Sequence, residues 1–158
     1  MNLPKLYELQ AKLDQNILTS KDIEHSDLIT EKKYIALKVE IGEFLNDIQA
    51  FKYWKQTAKP KESALEEGID VIHFLLSYAI DRGWHEYIKA VEPGITYKGI
   101  NELSRELFDN RLTSAGDYLN AFLAVLQILG HLGYSVEDVE HAYLEKNLTN
   151  HQRQAKGY

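Results

Sequence analysis

The sequence predicts an all-α protein, and three observations carry that prediction. Apolar residues recur at steps of three and four through most of the chain, the spacing that builds one helical face. Stretches of strict apolar–polar alternation, the mark of half-buried strands, are missing. Only three prolines occur, Pro4, Pro60 and Pro93, so long segments run without a helix breaker. With 158 residues, 44% of them apolar and 27% charged, the chain reads as a single domain over residues 1–158, long enough to bury its own core.

A first helix is expected from about Leu3 to Ile17, with Asn2 in the N-cap position and Pro4 in the first turn. Leu6, Leu9, Leu13 and Ile17 form its apolar stripe, and Gln10 and Asp14 lie one turn apart beside it. A polar linker, Leu18 to Ile29, precedes a second helix for which Thr30 is the expected cap. There Tyr34, Leu37, Ile41, Phe44, Ile48 and Phe51 make a core stripe, and Glu40, Glu43 and Asp47 make a second stripe roughly a quarter-turn away. Carboxylates that close to a buried edge do not sit on the most solvated face.

The second helix ends in Phe51-Lys52-Tyr53-Trp54-Lys55, followed by Lys59-Pro60-Lys61. Ser63-Ala64-Leu65-Glu66 has the pattern of a capping box and opens a third helix. From Leu65 to Ile80 that helix is apolar nearly all round, except for a wedge of Glu66, Glu67 and Asp70. A helix apolar on most sides is an interior one, and interior carboxylates cost free energy unless paired or metal-bound. Asp81-Arg82-Gly83 stops it. A short helix is expected over Trp84 to Val91, a turn at Pro93-Gly94, and a helix from Ile100 to Leu112. Ser114 with Asp117 caps a helix running to Leu132, and Ser135 with Asp138 starts the last one, which leads into a polar tail from Lys146.

Composition narrows the chemistry. There are no cysteines, so disulfides, thiolate catalysis and zinc–thiolate sites are excluded and a reducing cytoplasm is compatible. Met1 to Ile17 lacks the continuous apolar core of a signal peptide, and the greasiest run, Ala121 to Gly133, is too short to span a bilayer. Cytoplasmic residence without a membrane partner is therefore expected. A net charge of −6 argues against an electrostatic grip on a nucleic-acid polymer. Lys146 to Tyr158 holds three cations and no acid, so against the total of −6 the remaining body sums to −9. An acidic body with a basic tail suits metal ions plus a phosphorylated small molecule.

Carboxylates grouped three or four apart, with neither His nor Cys among them, favour Mg²⁺ (or Mn²⁺) over zinc. Placed antiparallel, the second and third helices would bring their acid patches into one cage. Magnesium binds through a few carboxylates plus substrate phosphates, which makes phosphate hydrolysis the reaction class.

Glu40-x-x-Glu43, then Glu67-x-x-Asp70 after a helix break, resembles the metal signature of the all-α nucleoside triphosphate pyrophosphatases (MazG-like). Within that superfamily, three further blocks resemble the dimeric all-α dUTPases. They are Leu9-Gln10-x-x-Leu13-Asp14-x-x-Ile17, Phe51-Lys52-Tyr53-Trp54-Lys55, and Lys146-Asn147-x-x-Asn150-x-x-Arg153-Gln154-x-x-Gly157-Tyr158. Asp70-x-x-His73-Phe74 also fits. The resemblance touches nearly the whole chain apart from about Asp81 to Ser114.

It implies a helical bundle of the all-α pyrophosphatase type, with the site between antiparallel helices and completed by homodimerisation. The implied reaction is hydrolysis of dUTP, and of dUDP, to dUMP, with pyrophosphate released from dUTP. Glu40, Glu43, Glu67 and Asp70 would hold more than one magnesium ion, and Glu40 or Glu43 would orient or deprotonate the attacking water. Gln10 and Asp14 would read the uracil edge. Trp54, Lys55 and His73 would border the nucleotide, and Lys146, Asn147, Asn150, Arg153, Lys156 and Tyr158 would contact sugar or phosphates. Separately from the resemblance, the scarcity of apolar anchors from Lys146 to Tyr158 predicts a tail that is loose in the free protein and closes over bound nucleotide. The rivals are a related pyrophosphatase with another base preference and a non-catalytic helical module that binds a basic partner.

Overall fold

The computed structural model describes residues 1–156, so Gly157 and the tail residue Tyr158 lie outside the described residues. Six helices run in the order α1 (Leu3–Ser20), α2 (Asp27–Ile48), α3 (Ala64–Asp81), α4 (Ile100–Asp109), α5 (Ala115–His131) and α6 (Val136–Ala155), with a 3₁₀ turn at Trp84–Glu86. The described residues contain no strand; one isolated bridge joins Asn2 to Ala90. No single helix is long and apolar enough to cross a membrane.

Helix α3 is the interior element that its composition foretells. It packs against α1, α2, α5 and α6 at once, and Val71, Ile72, Leu75, Leu76 and Ala79 are fully buried. Gly68 permits this crowding. A Cβ added there would lie 3.0 Å from a Phe44 ring carbon and 3.1 Å from a Leu129 methyl, both of them on fully buried side chains. The same glycine sits between Glu67 and Asp70, so the close approach that packs the core also sets the depth of the acids.

The element boundaries differ from expectation in several places, each for a local reason. Helix α1 runs three residues beyond Ile17, and Asn2 makes no side-chain cap bond. Helix α2 begins at Asp27, not at Thr30, because Ser26 occupies the N-cap and accepts the first backbone bonds from Ile29 and Thr30. Thr30 is inside the first turn, where its hydroxyl donates to Asp81 at 3.1 Å. At the other end Gln49 takes a left-handed φ of 61°, which closes α2 at Ile48 and leaves Phe51 about half exposed, off the core stripe.

Ser63 forms no capping box; its hydroxyl instead donates to the Asp47 carboxylate. The segment after α3 makes only a 3₁₀ turn, and α4 ends at Asp109, because Asn110 accepts from the Leu112 N–H and donates to the Asp117 carbonyl. The capping boxes at Ser114/Asp117 and Ser135/Asp138 form as expected. The tail also departs from the loose lid. Lys146 to Ala155 continues α6 without a break and docks on α1 through Asn16 to His151 at 3.0 Å.

Candidate active site

Two adjoining features occupy the space between α1, α2, α3 and α6. The first is an acid cluster. Glu40 of α2 and Glu67 and Asp70 of α3 each place a carboxylate oxygen within 4.8 Å of the others. Their spacing follows from the helices: α2 and α3 run side by side, and Glu67 and Asp70 are one turn apart on one face.

Like charges this close raise one another's proton affinity, and partial burial adds to it. Burial first, then Asp70, Glu43 and Glu67, push the Glu40 carboxyl up to about 7 against the pull of Lys146. Burial and then Asp70, Asp47 and Glu43 hold Glu67 above its usual range. Burial raises Asp70 as well, with Lys146 opposing. Glu43 contributes to this field but is exposed and stands outside the convergent trio.

Lys146 of α6, expected to meet sugar or phosphate, instead reaches a cluster carboxylate. Its ammonium donates to Asp70 Oδ2 at 2.8 Å and Glu66 Oε1 at 2.6 Å. Burial works against its charge, yet the bonds to Asp70 and Glu66 hold its proton more tightly than usual. Glu66 is correspondingly lowered by Lys146. Asp47 is buried and braced by Lys61 and Ser63, which together overcome its burial and keep it ionised. It fastens the start of α3 to the end of α2.

The second feature is a cleft of about 380 Å³ beside the cluster, lined by Gln10, Leu13, Asp14, Asp70, His73 and Asn150 among others. Most polar groups at its floor are paired with one another. Gln10 is buried; its Nε2 donates to Asp14 Oδ1 at 2.7 Å, and its Oε1 lies 2.7 Å from His73 Nδ1 and 3.1 Å from the Tyr143 hydroxyl. Asp14 Oδ2 accepts from Lys33 at 3.0 Å and Ser77 at 2.5 Å. Lys33 bridges on to Asp81 Oδ1 at 2.9 Å. His73 stacks on Tyr143 with ring centroids 4.3 Å apart, and burial drives its pKa down to about 3. It is a neutral ring.

The structure thus brings Glu40, Glu67, Asp70, Gln10, Asp14, His73, Lys146 and Asn150 to one region. Asn147 is buried one turn after Tyr143, and Arg153, further along α6, adds a positive field at Glu66 and Asp70. Trp54 and Lys55 are not brought into the cleft. Trp54 is mostly exposed with its ring edge-on to Phe51 and Tyr53, and Lys55 donates to Gln49 Oε1 at 2.8 Å. Lys156 is exposed beyond the end of α6.

Lys33, Ser77 and Tyr143 were missed as site residues. The signal was available for two of them. Lys33 precedes Glu40 by seven and Ser77 follows Asp70 by seven, two helical turns that keep each pair on one face.

Against this geometry, a family model described as dUTPase matches residues 2–158. The chain belongs to the all-α dUTPase family. The match covers nearly the whole sequence, and the all-helical architecture agrees with that family's fold. No curated protein matches the chain. Membership in the dUTPase family carries dUTP diphosphatase activity, a nucleotide substrate and dependence on a metal ion.

Proposed function

We propose that the protein is a Mg²⁺-dependent dUTPase that also accepts dUDP, converts both to dUMP and works as a homodimer. The observation that supports this most is the adjacency of the oxygen-only cluster of Glu40, Glu67 and Asp70 to the amide-floored cleft at Gln10. An all-carboxylate donor set suits a hard divalent cation, with Mn²⁺ as the alternative, and mutual repulsion gives those carboxylates free energy to gain from one. The bound ions would supply charge neutralisation for the phosphates and a more acidic water.

The residues of this chain divide the remaining work. Glu40, Glu67 and Asp70 hold cation, joined by Glu43, which is one turn from Glu40 and open to solvent. Glu40 or Glu43 orients the attacking water and takes its proton. Gln10 reads the base, with Asp14 and His73 beside it. Lys146, Asn147, Asn150 and Arg153 lie on the α6 wall to meet sugar and phosphate, with Lys156 and Tyr158 following in sequence. Trp54 and Lys55, exposed on the loop after α2, are left to border the nucleotide from outside the cleft or from the partner's side.

The homodimer is supported by an outward apolar row on α2. Leu28, Ile35 and Val39 are each more than half exposed, and Gly42 continues the row with open space around it. An exposed apolar stripe of this kind marks an interaction surface. The test is hydrolysis of a deoxynucleotide panel with Mg²⁺ and with EDTA, run on protein sized by light scattering. Conversion of dUTP and dUDP to dUMP, abolished by EDTA, in a particle of twice the chain mass is expected. Preference for another base, or no turnover with a metal-independent melting temperature, would overturn the reading in favour of its rivals.

A further inference from the structure

The floor of the cleft fixes the orientation of one amide, and the fix is chemical rather than steric. Asp14 is hemmed by the Lys33 ammonium and the Ser77 hydroxyl, so toward Gln10 it can act only as an acceptor. The Gln10 atom 2.7 Å from Asp14 Oδ1 must therefore be the nitrogen, and the atom facing His73 the oxygen. An amide oxygen only accepts. The His73 Nδ1 at 2.7 Å must then carry the ring proton, which leaves Nε2 bare. The surroundings agree: Nε2 is buried and has no hydrogen-bond partner, a state a lone pair tolerates better than an N–H does. Tyr143, buried and stacked on His73, brings its hydroxyl to the same oxygen at 3.1 Å, with the Leu6 carbonyl as the longer alternative acceptor at 3.3 Å.

We infer that His73 and Tyr143 are positioning residues that act through Gln10, locking its amide oxygen inward so that the cleft is offered an N–H and selects a base edge bearing a carbonyl. This rests on the reading of the cleft as the base site. One N–H of the Gln10 amide is spent on Asp14, and the other is left for whatever occupies the cleft that Gln10 lines. A carbonyl at that edge, as in uracil, accepts from it. An exocyclic amino group at the same place, as in cytosine, meets donor with donor and leaves both unpaired, which is how a polar site rejects a near-isostere. Asp14 decides which amide atom faces it, and His73 and Tyr143 hold the other end. Without His73 the oxygen loses its closest donor and the amide is held firmly at the Asp14 end alone. The aim of its free N–H, and with it the selection, slackens.

The first measurement is the tautomer of His73 in the intact, metal-loaded protein, read by long-range ¹H–¹⁵N correlation. A pyrrole-type Nδ1 with a pyridine-type Nε2 is expected; the reverse assignment overturns the lock even if the protein hydrolyses dUTP well. The second is the ratio of kcat/KM for dUTP over dCTP. His73→Leu should lower it by about tenfold or more, while His73→Asn, whose side-chain N–H can stand where Nδ1–H stood, should keep it within about threefold of wild type. A ratio unchanged in His73→Leu, or equally reduced in His73→Asn, overturns the positioning role. Should His73→Leu fail to fold, Tyr143→Phe decides, with a fall of about threefold expected and no fall overturning it. Loss of all dUTP turnover in the wild type would instead sink the base-site reading while leaving the tautomer result standing.

Discussion

The acid cluster and the cleft floor lie side by side, yet they are built on opposite principles. At the floor the charged groups and the amide have found their complements, and only His73 Nε2 is left bare: Asp14 takes three donors, Lys33 takes two carboxylates, and the Gln10 amide is held at both ends. In the cluster, three carboxylates crowd together and one ammonium, from Lys146, serves Asp70 and Glu66 while Glu40 and Glu67 are pushed toward protonation. A fully matched network gives rigidity and shape. An under-matched one gives affinity for the missing charge at the expense of stability while that charge is away. The difference predicts that mutations in the two places will separate stability from activity.

The largest effect belongs to Glu40→Gln. It keeps the side chain's shape while removing the charge that Asp70, Glu43 and Glu67 oppose. At saturating Mg²⁺, kcat/KM for dUTP should fall by at least about 100-fold, equivalent to ~2.7 kcal/mol of transition-state stabilisation. The metal-free protein should nonetheless melt a few degrees higher, since the repulsion is gone. Steady-state kinetics and a thermal melt in EDTA check the two halves. A variant less stable than wild type without metal would show that Glu40 is satisfied in some other way, and the contrast drawn above would fail.

Asp14→Asn should do the reverse. It removes the anion that Lys33 and Ser77 address, and the Asp14 and Lys33 side chains are only 13% and 14% exposed, so little solvent can make up the loss. Breaking one member of such a network costs about 2 kcal/mol, and for a chain of this size the melting temperature should drop by about 4–8 °C. The rise in melting temperature on adding Mg²⁺ should survive, because no cluster carboxylate is touched. If that rise vanished as well, the two regions would be one coupled unit rather than neighbours.

How much of this was legible beforehand depends on the range of the interaction. The helices were readable, and so was the Glu67 and Asp70 pair, because periodicity and i, i+3 spacing are local properties that survive folding unchanged. Gln10 and Asp14 were visible as a pair for the same reason. The locking role of His73 was not, since it depends on α1 and α3 meeting 63 positions apart in sequence, and Tyr143 joins from α6 across 133. That Glu40 joins Glu67 and Asp70 while Glu43, expected with it, stands outside depends on how α2 meets α3. Thr30 and Ser63 misled in one direction: each has a cap-forming side chain, but a tertiary carboxylate, Asp81 or Asp47, competed for the hydroxyl and won. Trp54 was placed by a block resemblance alone, and a loop held chiefly by short backbone turns gives an isolated chain no reason to fold its indole inward.

The smallest effect is a pH dependence, and its sign tests whether the acid cluster is under-matched. The Glu40 carboxyl rises from an ordinary 4.5 to about 7 in the folded, metal-free protein. Between those values the folded state keeps a proton that the unfolded state has released, so stability must fall as pH rises through the interval. The contribution is complete below the lower value and lost above the upper one. Glu67 and Asp70, also raised, act in the same direction, whereas the lowered Asp47 and Glu66 lose stability only on the acid side. Glu40 is only half-buried, so solvent screening should reduce the effect to the order of 1 kcal/mol, or about 2–4 °C in melting temperature. Saturating Mg²⁺, which binds the ionised carboxylates, should flatten or reverse the slope. Melting curves taken from about pH 5 to about pH 7.5 in EDTA and in Mg²⁺ provide the check. A metal-free protein that grows more stable with rising pH across that window would mean that Lys146 already neutralises the cluster, and that the acids have little to gain from a cation.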